Sequence, residues 1–371
     1  MMPITLYGSP MSLYTARVRS YFIKAGLSFR EVAPVSRHYE EVILPKAGGR
    51  RSMPTVELED GSVIRDSVAI IDYFEARNNF AFSPRTTCQQ LISLLFDLIG
   101  AEGMYRPAMH YRWRYNENKK LVTHHFEEIT PLNASYQFTV VGRFERMLKA
   151  CDDLGVPQER IALVESLYLR LLRELDAHFK QTPYLLGGKP SIGDFGFAAP
   201  MSAHLGRDIV PLSLLHEHAP YVLRWIERMQ RPDPGFSECH QCSEEFLQGD
   251  EIPDTLISVL RHIALDFMPE TEAACRSINE WLSNQEEELV GKEVERGIGE
   301  ASFSVEGNAM TAGAQPFRFY LLARLQTFFS KSSEDDRKKI QNLLAACDMA
   351  ELLDHRLIRD IGRDRNLEVW L

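Results

Sequence analysis

The chain has 371 residues, length enough for two or three domains, with 44 % hydrophobic and 25 % charged residues, the balance of an ordinary globular protein. Its formal charge is −10, from 52 acidic and 42 basic side chains, a field that repels nucleic acid and argues against a polynucleotide partner. No apolar run reaches the roughly 20 residues of a membrane-spanning helix, and Pro3 followed at once by a strand leaves no charged-then-apolar leader, so no membrane contact and a cytoplasmic location are expected.

In chain order, residues 4–7 read as a short apolar strand, broken by Gly8-Ser9-Pro10-Met11-Ser12 and followed by helical spacing over 14–24. A second strand is predicted at 28–32. Met53-Pro54 then precedes a strand at 55–58, Asp60-Gly61 makes a tight turn, 62–64 is another strand, and Asp66-Ser67 opens a helix to about Arg77. The order β-α-β-loop-β-β-α is a thioredoxin-type layout, with Pro54 where a cis bond would sit.

From about 86 to 230 the pattern is helical. Residues 88–100 carry Leu91, Leu94, Leu95 and Leu98 on one stripe, and 134–153 and 159–180 are further amphipathic candidates. A loop over 184–190 leads to Ser191-Ile192-Gly193-Asp194, a variant capping box that opens an apolar helix over 195–205. Residues 221–230 form the next helix, stopped by Pro232 and Pro234.

Beyond 245 the spacing predicts one or two polar helices over 271–296. A hairpin follows at 301–306 and 309–312 around Gly307-Asn308, then an apolar helix over 317–329 and short helices to Leu371. No linker separates this segment, so it is expected to pack on the helical domain. The division is 1–80, 86–245 and 246–371, and the fold class is α+β: a thioredoxin-like domain, an all-α domain and a mainly helical extension.

Residues 4 to about 77 resemble the N-terminal domain of the glutathione transferase superfamily, of the serine type with a phi/theta-like first domain. Three stretches carry the resemblance, in order and at the family's spacing. They are Leu6-Tyr7-Gly8-Ser9-Pro10-Met11-Ser12 with Ala16-Arg17-Val18-Arg19, Met53-Pro54-Thr55-Val56, and Asp66-Ser67-Val68-Ala69-Ile70, which has Asp where Glu is usual. Leu185-Leu186-Gly187 through Asp194 resembles the capped, buried helix start of the family's second domain. The resemblance implies glutathione as cosubstrate, a small-molecule electrophile as second substrate and a homodimer formed where the third helix meets the helical domain.

The thiol of glutathione has an ordinary pKa near ~8.5, so attack at neutral pH requires a stabilised thiolate. A hydroxyl donating to sulfur beside a helix N-terminus supplies that stabilisation. The resemblance places this role on Ser12; a plain helix cap is the alternative for that residue, and Tyr7 is the competing activator, ahead of Tyr14 and Ser9. It likewise places Met53, before Pro54, against the cysteinyl backbone as an added strand, Ser67 against the γ-glutamyl carboxylate and Asp66 against its ammonium. Arg51 or Arg50 would reach the glycine carboxylate.

The segment 104–115, dense in aromatics and arginine, has two readings. Tyr111 or Trp113 could stack on a second substrate that Arg112 or Arg114 clamps, or the aromatics could pack against the extension. Six cysteines stand at 88, 151, 239, 242, 275 and 347, and scattered thiols suit a reducing compartment. Cys239-His240-Gln241-Cys242 is their only cluster and lacks a second pair at metal spacing, so no metal is expected; His124-His125 reads as surface. The functional expectation is a glutathione transferase. A transferase-fold binding or scaffold protein without turnover, or a glutathione-dependent isomerase or dehalogenase, is the alternative.

Overall fold

The computed structural model describes residues 4–130, 135, 139–233, 242–285 and 288–371. The first elements are β1 (Ile4–Tyr7), α1 (Leu13–Lys24), β2 (Phe29–Val32), a π-helical turn at Tyr39–Ile43 running into the single turn α2 (Leu44–Lys46), β3 (Thr55–Glu57), β4 (Val63–Arg65) and α3 (Ser67–Arg77). The sheet order is β2-β1-β3-β4. β1 pairs in parallel with β2, while β3 runs antiparallel to both β1 and β4. Alternation along β1 splits its side chains between two faces. Leu6 joins Val18, Phe22, Val56 and Ile71 in the main core, and Tyr7 joins Tyr39 and Ile43 on the other face.

The helical region follows as α4 (Thr87–Leu98), α5 (Tyr105–Trp113), α6 (Lys119–Glu128), α7 (Val140–Asp153), α8 (Ile161–Phe179), α9 (Ile192–Pro200), α10 (Ile209–His218) and α11 (Pro220–Met229). Of the stripe expected over 88–100, Leu91, Leu95 and Leu98 are buried and Leu94 is half-buried, and α4 continues through a π-helical turn at Ile99–Gly103. The expected capping box is present: Ser191 Oγ accepts from Asp194 N, and Asp194 Oδ2 accepts from Ser191 N at 2.8 Å. Asp194 also accepts from Leu185 N and from Trp225 Nε1, both at 3.0 Å. Helices α4 and α9 cross at glycine contact. A Cβ on Gly196 would stand 2.6 Å from Asp97 Cα, and one on Gly100 would stand 2.2 Å from the Gly196 carbonyl oxygen. Of the expected helix 134–153, residues 134 and 136–138 lie outside the described residues.

The remaining elements are α12 (Asp254–Ser283), β5 (Glu300–Val305), β6 (Asn308–Gly313), α13 (Pro316–Lys331), α14 (Glu334–Ala346), β7 (Ile361–Asp364) and β8 (Leu367–Trp370). Two expectations are corrected here. The helix set at 271–296 starts at Asp254 and ends at Ser283, because Leu256, Val259, Leu260, Ile263 and Phe267 form a buried stripe on a helix that passes through Pro269. The chain also ends in a hairpin, β7–β8, rather than in short helices.

That hairpin does not join the helical region, as expected of the extension, but docks on the first domain. Arg65 Nη2 donates to Glu368 at 2.7 and 3.0 Å, and Asn366 Nδ2 donates to the carbonyls of Lys46 and Val63, each at 3.0 Å. Asn366 Oδ1 accepts from Arg65 N, so the hairpin covers the free edge of β4. The β5–β6 hairpin is present, but it turns one residue earlier than expected, at Glu306 and Gly307, both at positive φ in the geometry of a tight primed turn, with Asn308 already paired to Val305. One hydrophobic cluster runs from Leu6 through the helical region to Trp370, so all three parts of the chain share a core.

Candidate functional site

Register gathers the three motif loops. Tyr7 pairs with Thr55, and Thr55 with Arg65, so the loop after β1, the segment before β3 and the residues after β4 all leave the same end of the sheet. Ser12 lies there as the N-cap of α1, its Oγ accepting from Thr15 N at 3.3 Å. Because that bond uses an oxygen lone pair, the hydroxyl proton stays free to donate. Met53 precedes a cis bond to Pro54, and its N–H and C=O lie outside the sheet ladders, which begin at Thr55.

Asp66 caps α3 at φ 82°, accepting from Val68 N at 2.9 Å and Ala69 N at 3.3 Å. Arg363 of β7 approaches its carboxylate to 3.8 Å. Burial pushes the Asp66 carboxyl above the usual range, and Arg363 opposes that shift. Ser67 is 1 % exposed, and its Oγ accepts from Arg17 Nη1 at 3.4 Å.

Behind these groups runs a chain of charge that the sequence does not display, buried at Arg17 and Asp97 and open to solvent at Asp72. Arg17 pairs with Asp97 of α4, whose second oxygen takes Arg324 Nη1 of α13 at 3.1 Å, while Arg324 Nη2 reaches Asp72 of α3 at 2.7 Å. Beside Ser12, the Tyr14 hydroxyl lies 3.2 Å from the Ala101 carbonyl oxygen and in contact with the Tyr105 hydroxyl, which lies 3.1 Å from Glu102 Oε1, so the two phenol protons are shared among three polar contacts. Tyr320 of α13 lies in the combined field of Arg363, Asp66, Asp72 and Arg324. Asp97, Glu102, Tyr320 and Arg363 were therefore missed in the sequence, while Arg17 stood in the first motif and Tyr105 in the aromatic segment without these roles. Each acquires its meaning here from partners that the fold supplies.

Several expected site residues have their polar groups engaged by partners within the chain. Tyr7 points to the opposite sheet face from Leu6. Its hydroxyl donates to Glu57 Oε2 at 2.9 Å, and burial together with Glu57 holds it above the ordinary phenol range. Arg51 pairs with Glu40 and stacks over Tyr39, and Arg50 pairs with Glu293 at 2.9 Å and Glu368 at 3.5 Å.

Arg112 clamps no free anion. It holds Asp208 at 2.8 and 2.9 Å and donates to the carbonyls of Ala203 and, at 2.8 Å, Met11, so it braces the Ser12 loop from below. Tyr111 is buried between Tyr115 and Tyr168, and Trp113 stacks on Phe126, within the helical region rather than against the extension. His124 is exposed beside Glu128, as a surface residue. Cys239, His240 and Gln241 lie outside the described residues, and among the described residues no cluster of ligating side chains could hold a metal.

Residues 6–81 match the family model of the glutathione S-transferase N-terminal domain, and residues 158–228 match that of the glutathione S-transferase C-terminal domain. The chain belongs to the glutathione transferase superfamily. Solved structures similar to it include the β-etherase LigF from Sphingobium sp. strain SYK-6, 15 % identical with TM-score 0.44, covering 65 % of this chain and all of the other. The glutathione transferase GSTFuA3 from Phanerochaete chrysosporium is 16 % identical with TM-score 0.44, covering 63 % and 98 %. A glutathione S-transferase-I bound with lactoylglutathione is 17 % identical with TM-score 0.39, covering 62 % and 96 %. No curated protein matches the chain.

Proposed function

We propose that the chain is a glutathione transferase that joins the glutathione sulfur to a small electrophile. The observation that carries this reading is the gathering of Ser12, Met53 and Asp66-Ser67 at one end of the sheet by strand register. Ser12 donates its free hydroxyl proton to the sulfur, and the partial positive charge at the α1 N-terminus favours the thiolate. Met53 pairs with the peptide backbone, the α3 N-terminus with Ser67 takes the γ-glutamyl carboxylate, and Asp66 takes its ammonium. The thiol proton passes to solvent, and the thiolate attacks the electrophilic carbon, the carbon–sulfur bond replacing a carbon–halogen bond as halide leaves with its electron pair. The rate gain comes from thiolate stabilisation and positioning, and the same site would serve an isomerase or a dehalogenase.

A scaffold without turnover is the second reading. It is favoured by the near-complete burial of Ser67 and by the approach of Arg363, from the extension, to Asp66.

The reading keeps the division into 1–80, 86–245 and 246–371, and the cytoplasm as setting. Cys88, Cys151, Cys242, Cys275 and Cys347 are all unpaired, which suits a reducing compartment. It departs from the expected homodimer. Helices α13 and α14 pack on α4, and Arg324 bridges α3 to α4, so the expected pairing face is already covered by the chain itself and the chain acts as a monomer.

Calorimetric titration with glutathione tests the site. Wild type is expected to bind with Kd between about 1 μM and 1 mM, and Ser67→Ala to weaken binding by about tenfold. Ser12→Ala is expected to keep its affinity within about threefold and lose on the order of ten- to a hundredfold in turnover of an aryl halide. Binding without turnover in wild type would favour the scaffold, and no binding at all would end both glutathione readings.

A further inference from the structure

The N-terminal end of α3 keeps few donors for an anion. Asp66 Oδ1 takes two of the three N–H groups of its first turn, those of Val68 and Ala69. Ser67 N–H is left as the one donor of that turn without an acceptor among the described residues. The Ser67 side chain is buried, and its Oγ already accepts from Arg17 Nη1 at 3.4 Å. The γ-glutamyl end of glutathione, however, carries a carboxylate and an ammonium on one carbon. A single backbone donor is a weak match for that carboxylate, and a cation beside Asp66 is what a zwitterion of this kind requires.

The extension supplies the cation. Arg363 of β7 brings its Nη1 to 3.8 Å from Asp66 Oδ1, a separation at which the two charges face each other without a hydrogen bond. Its other contacts fix the guanidinium from behind: Nη1 donates to Glu368 Oε1 at 2.6 Å, and Nη2 donates to the Arg65 carbonyl at 2.8 Å. Arg50 has Glu293 for a partner, but Arg65 and Arg363 share Glu368, which leaves one positive charge for Asp66 or for an incoming anion. Tyr320 of α13 stands close enough for the charges of both Arg363 and Asp66 to act on its phenol.

An ion pair built only to hold the hairpin down would close to hydrogen-bond distance, as Arg65 and Glu368 do at 2.7 Å. Arg363 and Asp66 are held open instead, with side chains 17 % and 16 % exposed, and side by side they present the complement of an amino-acid head group. We propose, resting on the transferase reading, that Arg363 is a ligand-binding residue of the glutathione site. Asp66 takes the γ-glutamyl ammonium, and the α-carboxylate lies between Ser67 N–H and the Arg363 guanidinium. The site is then incomplete without the extension: its γ-glutamyl end is built jointly by the first domain and by the hairpin that ends the chain.

The test is calorimetric titration of the intact chain with two peptides. One is glutathione; the other is 4-aminobutanoyl-Cys-Gly, which lacks only the α-carboxylate and keeps the thiol and the ammonium. Wild type is expected to prefer glutathione by about tenfold or more. Arg363→Gln should remove most of that preference, weakening glutathione about tenfold and leaving the decarboxylated peptide within about twofold. Arg363→Lys keeps the charge that Glu368 pairs with, so the hairpin stays seated, but it loses the planar fork. Glutathione should weaken about threefold in that variant, and the other peptide not at all. Equal losses for both peptides would show that Arg363 acts only by seating the hairpin. Unchanged or tighter glutathione binding in the variants would show that Arg363 screens Asp66 instead of serving the ligand, and a wild type without preference would show that the carboxylate meets no cation. Each of these overturns the assignment and leaves the glutathione site standing, whereas a wild type that binds neither peptide ends the transferase reading and the assignment with it.

Discussion

Glu102 is 2 % exposed; Tyr105 satisfies one of its oxygens, and the other has no partner among the described residues. Burial raises its pKa to about 8, against the opposing pull of Arg318 and the Tyr105 hydrogen bond. In the unfolded chain the same acid titrates near ~4.3. Between those two values the folded state holds a proton that the unfolded state has released. Its contribution is therefore present in full below about pH 4.3 and is lost as pH rises through about 8. Glu102→Gln removes that loss. Denaturant unfolding from pH 5 to pH 9 should show the variant gaining on wild type by on the order of a few kcal/mol. A gap that does not change with pH would mean that the acid is already ionised at pH 5. Neither Glu102 nor Arg112 announced its role in the sequence. Arg112 looked like a free anion clamp because its partner Asp208 stands 96 residues away. Ser12 was legible as to place, since a strand end, a Gly-Ser-Pro break and a helix start fix it locally; whether it caps or donates is a matter of hydrogen geometry that spacing does not carry.

Elements that are specified by their own residues were readable, and elements specified by a distant surface were not. Ser191 and Asp194 cap each other within four residues, so the start of α9 is written locally. Hairpin β5–β6 carries Gly at its turn, whereas β7–β8 turns through Arg365 and Asn366 at φ 43° and 70°, with no glycine to signal it. What fixes that second turn is its seat: the backbone of Arg65, Lys46 and Val63 binds Asn366, and a Cβ-free Gly48 admits Leu367, whose Cγ would stand 2.7 Å from a Cβ there. Glu368 is the anchor, accepting from Arg65 and Arg363 and lying 3.5 Å from Arg50. Glu368→Ala leaves the buried Arg65 guanidinium without its anion and is expected to cost about 3–5 kcal/mol in unfolding free energy, read by denaturant titration. It should also free the edge of β4, seen as faster amide exchange at residues 63–65 than in wild type. A loss below about 1 kcal/mol would show that apolar contacts of Leu367 and Trp370 hold the hairpin instead.

On the scale of the whole molecule, the extension reads as a covering for surface that two domains alone would expose. Leu321, Leu322 and Leu325 of α13 and Ile340 and Leu344 of α14 enter the same core as Leu91 and Leu95 of α4. Arg324 then closes the seam electrostatically on Asp72 and Asp97. A second copy approaching the α3/α4 face would have to displace apolar surface and a partly buried ion pair already in place. Light scattering at micromolar concentration is therefore expected to return the mass of one chain. Arg324→Glu sets a third carboxylate against Asp72 and Asp97, which costs on the order of 3 kcal/mol and loosens α13 from the seam. If the covered face retains its capacity to pair, the variant and not wild type should gain mass with concentration. A wild-type mass of two chains would show instead that the pairing surface lies elsewhere on the molecule, with the extension free of that role.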